Sequence, residues 1–285
     1  MNSAEPALID RPPIDHQEEQ TPDKRVLKKL GPEKLGAMRV MGVRLDDIAI
    51  PDLLKRMTEA IDRKDRLLVM NVNAHLLNLA WTRPWLRDFF ARADIVFCDG
   101  AGAQLATRLL TGRLPSRSTP PEWIAPLGDA IGAKGGSVFW LGGAPGVVED
   151  AARAFEKRHG VRTAGFHHGF FDHKPGSSDN AAIVAAINAA KPDLLVVNMG
   201  MPLQEQWLYH HWDKLDARVA ITAGALVDHV AGKVRRPPRW VADLGIEWAV
   251  RLAIEPRRLW RRYLIGLPVF GFRLMSEKLA PRAWD

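Results

Sequence analysis

Seven short runs rich in Val, Ile, Leu and Phe recur between residues 39 and 222, separated by segments with apolar residues at helical spacing. The predicted strands are Arg39–Val43, Leu67–Val72, Ile95–Cys98, Ser137–Leu141, Val161–Ala164, Leu194–Asn198 and Arg218–Thr222. Helical spacing covers Pro51–Ile61, Gly102–Leu110, Val147–Lys157, Asn180–Ala190 and Leu203–Trp212, among others. Several strands are unbroken apolar runs, which implies burial on both faces. The rhythm predicts an α/β fold: a mostly parallel, Rossmann-like sheet with helices on both faces. In such sheets ligands bind beyond the carboxyl ends of the strands, so those exits are where function is sought.

After Gly232 the strand signal stops. Trp240–Ile254, Pro256–Leu264 and Val269–Leu279 read as helices, with Pro256 and Pro268 marking starts. From Lys233 to Asp285 there are twelve Lys or Arg against five Asp or Glu, so the whole net charge of +7 sits in this stretch. Such a tail suits nucleic acid, an anionic membrane surface or a phosphate-rich substrate. Residues 1–37 are Pro-rich, carry both charges and read as a mobile arm. Three regions are therefore expected: the arm at 1–37, an α/β catalytic domain at 38–232 and a basic helical appendage at 233–285. No stretch approaches the ~20 apolar residues of a membrane span, and the N-terminus lacks a signal-peptide pattern, so a soluble protein is expected. The lone cysteine, Cys98, rules out an internal disulfide and a multi-cysteine zinc site.

Four predicted strand exits carry polar or flexible residues. Asn71-Val72-Asn73-Ala74-His75 offers amides for a base, ribose or sugar hydroxyl, or else an Asx turn opening a helix. Asp99-Gly100 follows a buried run, where a carboxylate serves as a general base, or forms an ordinary turn. Gly142-Gly143-Ala144-Pro145-Gly146 leads into a helix, a junction that admits a diphosphate close to the backbone or simply a tight turn. Asn198-Met199-Gly200-Met201-Pro202 leaves Gln204 and Glu205 in the first turn of the next helix, where Glu205 also suits the helix dipole. Dinucleotide and P-loop fingerprints, H-E-x-x-H and G-x-S-x-G are all missing from the sequence. The adjacent pairs His167-His168 and His210-His211 point apart, so no metal site is expected, and no cofactor either. There is no Asp-x-Asp to hold a divalent cation beside a nucleotide sugar. A departing diphosphate would then rely on arginines and helix dipoles.

In this order and spacing the strings resemble the WecG/TagA/CpsF family of bacterial glycosyltransferases. The resemblance runs from Met38 to about Leu267 and takes in Gly224 to Asp228, Gly232, Arg236-Pro237-Pro238-Arg239-Trp240, Ile246-Glu247-Trp248, Arg251-Leu252 and Glu255-Pro256-Arg257-Arg258. It implies an inverting, metal-independent transfer of a hexose-type sugar from a UDP-sugar to a polyprenyl-diphosphate-linked sugar, in cell-surface polysaccharide synthesis. By the same resemblance Asp99 is the base, Arg117 neutralises diphosphate charge, and Gln204 and Asn73 match the family's amides. Asn71, His75, Gly142, Gly143, Gly200, Pro202, Glu205 and Asp228 are expected at the substrate. Two departures stand out: Asn71 replaces a Thr, and Pro120-Pro121-Glu122 replaces Gly-x-Asp, stiffening a loop near the substrate.

The C-terminal stretch is similar to the family's basic appendage, which implies docking on the inner face of the cytoplasmic membrane. Arg251, Arg257, Arg258, Arg261 and Arg262 alternate with Trp248, Leu252, Leu259, Trp260, Tyr263 and Leu264 at helical spacing, as amphipathic helices with a cationic face require. With Arg236, these arginines are expected at the membrane or the diphosphate. Nucleic acid is not an expected partner, since no groove-reading or base-stacking module is present. No pattern excludes a homo-oligomer. The alternative is a non-catalytic nucleotide-sugar or polyanion-binding protein of the same fold, against which stand Asp99, Arg117 and Gln204.

Overall fold

Leu67–Val72 (β3), Ile95–Cys98 (β4), Ser137–Gly142 (β5), Leu194–Asn198 (β7) and Val219–Thr222 (β8) are buried at every position. In the computed structural model, which describes residues 36–234, 241 and 245–284, these strands and Arg162–His167 (β6) form one parallel sheet ordered β4-β3-β8-β7-β5-β6. Unbroken apolar runs thus end up covered on both faces, as the sequence pattern requires. One face carries Ile50–Arg63 (α1), Pro120–Gly132 (α5), Val147–His159 (α6) and Leu226–Val230 (α9), with Trp123, Trp140 and Phe155 in its core. The other carries Ala74–Ala80 (α2), Pro84–Arg92 (α3), Ala101–Thr111 (α4), Ser178–Ala190 (α7) and Leu203–His211 (α8). The C-terminal helix Gly266–Leu279 joins this second face through Phe270 and Leu274.

The edge strand β4 is buried because two segments from elsewhere in the chain cover it. Asp46 N donates to Val96 O at 2.8 Å and Asp46 Oδ2 accepts from Val96 N at 2.8 Å, while Ser118 N donates to Cys98 O at 2.9 Å. A free strand edge invites unwanted pairing, and these bonds close it. They also bring Arg117 alongside Cys98, one residue before Asp99.

Three expectations need correcting. Arg39–Val43 is not one strand: Met38–Val40 (β1) and Val43–Leu45 (β2) form an antiparallel hairpin. Met41 and Gly42 both have positive φ, 50° and 80°, the geometry of a tight two-residue hairpin turn. Pro120-Pro121-Glu122 is not a loop but the first turn of α5, where proline's missing N–H has no intrahelical partner to lose. Glu122 Oε2 accepts from Thr119 N at 3.2 Å and so closes the helix start. Pro268 does not begin a new helix: Glu247–Ile254 and Pro256–Trp260 are followed by a π turn, Arg261–Ile265, that runs directly into Gly266–Leu279. The π turn shifts the hydrogen bonding by one residue, with Gly266 N on Arg261 O, and Pro268 is accommodated in the turn that follows. The predicted arm lies outside the described residues up to residue 35, as does the predicted helix start at Trp240.

Gly142 ends β5 with φ of +121°, and a Cβ there would meet the backbone of Asn198 at 2.4 Å. Gly143 N then donates to Asn198 O at 3.1 Å, tying the exits of β5 and β7 together. Gly142→Ala is expected to cost about 2 kcal/mol, through an unfavourable φ and a backbone clash that no rotamer change relieves. Denaturant unfolding checks it; an unchanged midpoint would mean that the two strand exits separate without penalty.

Candidate active site

The exits of β3 and β4 meet at Asp99, and β8 reaches it through Thr222 and Asn71. Asn71, on β3 and 1% exposed, donates from Nδ2 to Asp99 Oδ2 at 2.7 Å. Its own carbonyl accepts from the Thr222 hydroxyl at 2.7 Å, and Thr222 Oγ1 accepts from Asn71 N at 3.0 Å. Asn71 therefore holds the carboxylate from the buried side of the sheet. Thr222 drew no attention in the sequence; a lone polar residue ending the apolar run of β8 was the available signal.

Asn73 makes the turn that opens a helix. Its Oδ1 caps α2, accepting from His75 N at 3.0 Å and Leu76 N at 3.1 Å, and its Nδ2 donates to Met201 Sδ at 3.4 Å. Burial raises the Asp99 pKa, against the hydrogen bond from Asn71 and the positive charges of Arg251 and Arg262. A half-buried carboxylate with a raised pKa and fixed orientation is equipped to accept a proton.

Among the described residues of the appendage, Arg262 is the arginine set deepest. It stands in the π turn, its Nε is buried without a hydrogen-bond partner, and its charge acts on Asp99, His75 and Glu205. Burial lowers its pKa and the neighbouring Arg251 and Arg258 push the same way, while Asp99 opposes them. A cation held under those conditions is well placed to receive an anion. Arg258 and Arg251 also act on Asp228, whose pKa burial raises; Arg258 is ion-paired to Glu255 at 2.5 Å. Arg257 and Arg261 are exposed, Arg261 lying over the Trp260 ring at 5.3 Å. Arg236 lies outside the described residues.

On β7's side, Met201–Pro202 is a cis peptide and Gly200 has φ of 77°. Gln204 and Glu205 follow at the start of α8, both 0% exposed. Gln204 Nε2 donates to Glu205 Oε1 at 2.7 Å, and its Oε1 accepts from Gly224 N at 3.0 Å, so its amide links the exits of β7 and β8. Glu205 Oε2 is buried with no partner, and burial pushes its pKa up to about 7. Burial also drives the His75 pKa down to about 3, with Arg262 and Arg83 adding to the effect, so its imidazole is neutral. Among the described residues no group of three or more His, Cys, Asp or Glu could hold a metal ion, and no helix is long and apolar enough to cross a membrane.

Residues 38–283 match the family described as "Glycosyl transferase WecG/TagA/CpsF family". Among curated proteins the chain is similar to the N-acetylglucosaminyldiphosphoundecaprenol N-acetyl-beta-D-mannosaminyltransferases of Staphylococcus aureus strains NCTC 8325 / PS 47 and COL. Each is 26% identical over 241 residues, covering 84% of this chain and 92% of the relative. The protein from strain MRSA252 matches at the same identity and coverage.

Proposed function

This chain belongs to the WecG/TagA/CpsF family of glycosyltransferases, and from that premise we propose that it moves a sugar from a UDP-sugar to a polyprenyl-diphosphate-linked sugar, with inversion and without a metal. The Staphylococcus aureus relatives, by name, transfer N-acetyl-β-D-mannosamine to N-acetylglucosaminyl-diphospho-undecaprenol, which supports a lipid-linked sugar as acceptor. The observation that carries the reading is the Asp99 carboxylate, held by the Asn71 amide at a strand exit and faced by the charges of Arg251 and Arg262.

In this mechanism Asp99 takes the proton of the acceptor hydroxyl as that oxygen attacks the anomeric carbon. The bond from that carbon to the UDP oxygen breaks, and the electron pair leaves with UDP. Arg251 and Arg262, with Arg117 beside β4, balance the charge that builds on the diphosphate. Guanidinium groups at fixed positions supply the positive charge that a divalent cation supplies in other sugar-nucleotide enzymes, and this supports the metal-free reading. Gln204 and Glu205 act as positioning groups, fixing α8 and the Gly224 turn around the sugar.

The segment 233–285 serves in this reading as a dock on the inner face of the cytoplasmic membrane. Support comes from Trp260, Leu264 and Ile265, exposed at 42%, 58% and 51%, next to the exposed Arg257 and Arg261. The test is UDP release from a panel of UDP-sugars with a polyprenyl-diphosphate-sugar acceptor, with and without EDTA. Acceptor-dependent release that survives EDTA is expected. Loss in EDTA with recovery on adding Mg²⁺ or Mn²⁺ would overturn the metal-free mechanism, and no release from any donor would overturn the activity.

A further inference from the structure

Arg83, His75 and Arg262 each hold polar groups that the folded chain leaves unused. The buried Nε of Arg262 has no hydrogen-bond partner. His75, half-buried in the first turn of α2, has no partner on either ring nitrogen among the described residues. Arg83, half-buried just before α3, has no hydrogen-bond or ion-pair partner for its guanidinium among the described residues.

The three come together where α2 lies against the π turn. Asn78, three residues after His75 and so on the same side of α2, donates from Nδ2 to Gly266 O at 3.2 Å. Its backbone and side-chain oxygens accept from Arg273 Nη1 at 2.6 and 2.5 Å, so this side of α2 is fastened to the C-terminal helix. His75 therefore faces the π turn, and the charges of both Arg262 and Arg83 act on it. Arg83 follows the far end of α2 and reaches His75 from the side away from the β3 exit. Burial keeps the imidazole neutral, a donor on one nitrogen and an acceptor on the other, and lowers the pKa of both arginines. A cation held out of water without a paired acid carries a desolvation cost that an arriving anion offsets.

The proposed reaction brings two diphosphates to this end of the sheet. One departs with UDP and is balanced by Arg117, Arg251 and Arg262. The other belongs to the acceptor, and the acceptor's own sugar fixes where it lies. The hydroxyl that gives its proton to Asp99 and the anomeric oxygen that carries the diphosphate stand on one ring, so the second anion sits one sugar ring from Asp99. Arg262 acts on Asp99 and on His75 alike and so spans that interval. Next to the tie at Gly266 the π turn exposes Leu264 and Ile265 at 58% and 51%, apolar surface for the chain that this diphosphate carries. On the transferase reading, we propose that Arg83 and His75, with Arg262, form the subsite for the diphosphate of the lipid-linked acceptor, Arg83 and His75 donating to its oxygens.

Calorimetry of the full chain saturated with UDP and titrated with farnesyl diphosphate tests this. It reads no turnover, so its result is separate from UDP release, which tests the reaction. One farnesyl diphosphate should bind beside UDP. Arg83→Gln should weaken that binding about 10- to 100-fold, the span for losing a hydrogen bond to a charged group, and leave UDP affinity unchanged. His75→Phe keeps a flat ring without an N–H and should weaken it about two- to ten-fold. Arg153→Gln, the same charge change at an exposed position of α6, should weaken it by less than about two-fold. Equal losses in Arg83→Gln and Arg153→Gln would reduce the effect to net charge and overturn the subsite. Displacement of UDP by farnesyl diphosphate would put both anions in the donor's place and overturn it too. Inorganic pyrophosphate binding as tightly as farnesyl diphosphate would make this a site for any diphosphate, which also overturns the assignment to the acceptor.

Discussion

Asp99→Asn should slow sugar transfer by about 100- to 10,000-fold, the usual span for losing a general base, while leaving the fold and donor binding intact. The substitution keeps size and shape, and the new amide oxygen can accept the Asn71 Nδ2 proton that the carboxylate accepts at 2.7 Å. What it removes is the capacity to take a proton from the attacking hydroxyl. The comparison to make is acceptor-dependent UDP release beside donor affinity measured by calorimetry. Full turnover in the variant would remove Asp99 as base and leave the reaction to another group. Loss of donor affinity together with turnover would make Asp99 a binding residue.

The second large effect concerns Glu205. Its carboxyl has an ordinary pKa of 4.5, which burial raises to about 7 in the folded chain. Between those values the folded state holds a proton that the unfolded state has released, so stability falls as pH rises. The full stability contribution of the protonated carboxyl is present below pH 4.5 and is lost by the time pH passes 7. A shift of this size corresponds to about 3 kcal/mol, or roughly 6–12 °C in melting temperature for a chain of this length. Glu205→Gln keeps the acceptor for Gln204 Nε2 and cannot ionise. Its melting temperature should therefore lack this downward slope between pH 4.5 and 7. Parallel pH profiles for parent and variant would show that Glu205 titrates as an ordinary carboxylate.

Why some of this was legible in the sequence and some was not follows from where the information lies. β3, β4 and β7 fall on their predicted residues because unbroken apolar runs bounded by polar exits admit few other readings. Asp99 and Asn73 were visible for the same reason, as polar residues at the ends of such runs. The hairpin at Met41-Gly42 was missed because its strands are only three residues each, too short for a period to show. α5 was hidden by Pro120 and Pro121, which signal a loop as readily as a helix start. Tertiary partners could not be read from local sequence at all. Thr222 meets Asn71 across 151 residues, and which arginine lies deepest depends on a π turn that no propensity encodes.

The cross-ties at the strand exits have a thermodynamic consequence. Asn71 to Thr222, Gln204 to Gly224 and Gly143 to Asn198 each join one exit to its neighbour. All three form as the sheet folds, so the ordering entropy of this floor is spent once, in folding, and is not charged again to each incoming substrate. The arginines that face it come from separate helices later in the chain. On the proposed reaction, what yields for substrates to enter and products to depart is expected in that roof. On that reading the floor is organised before any substrate arrives, and the conformational cost of the cycle falls on the part of the chain that also carries its positive charge.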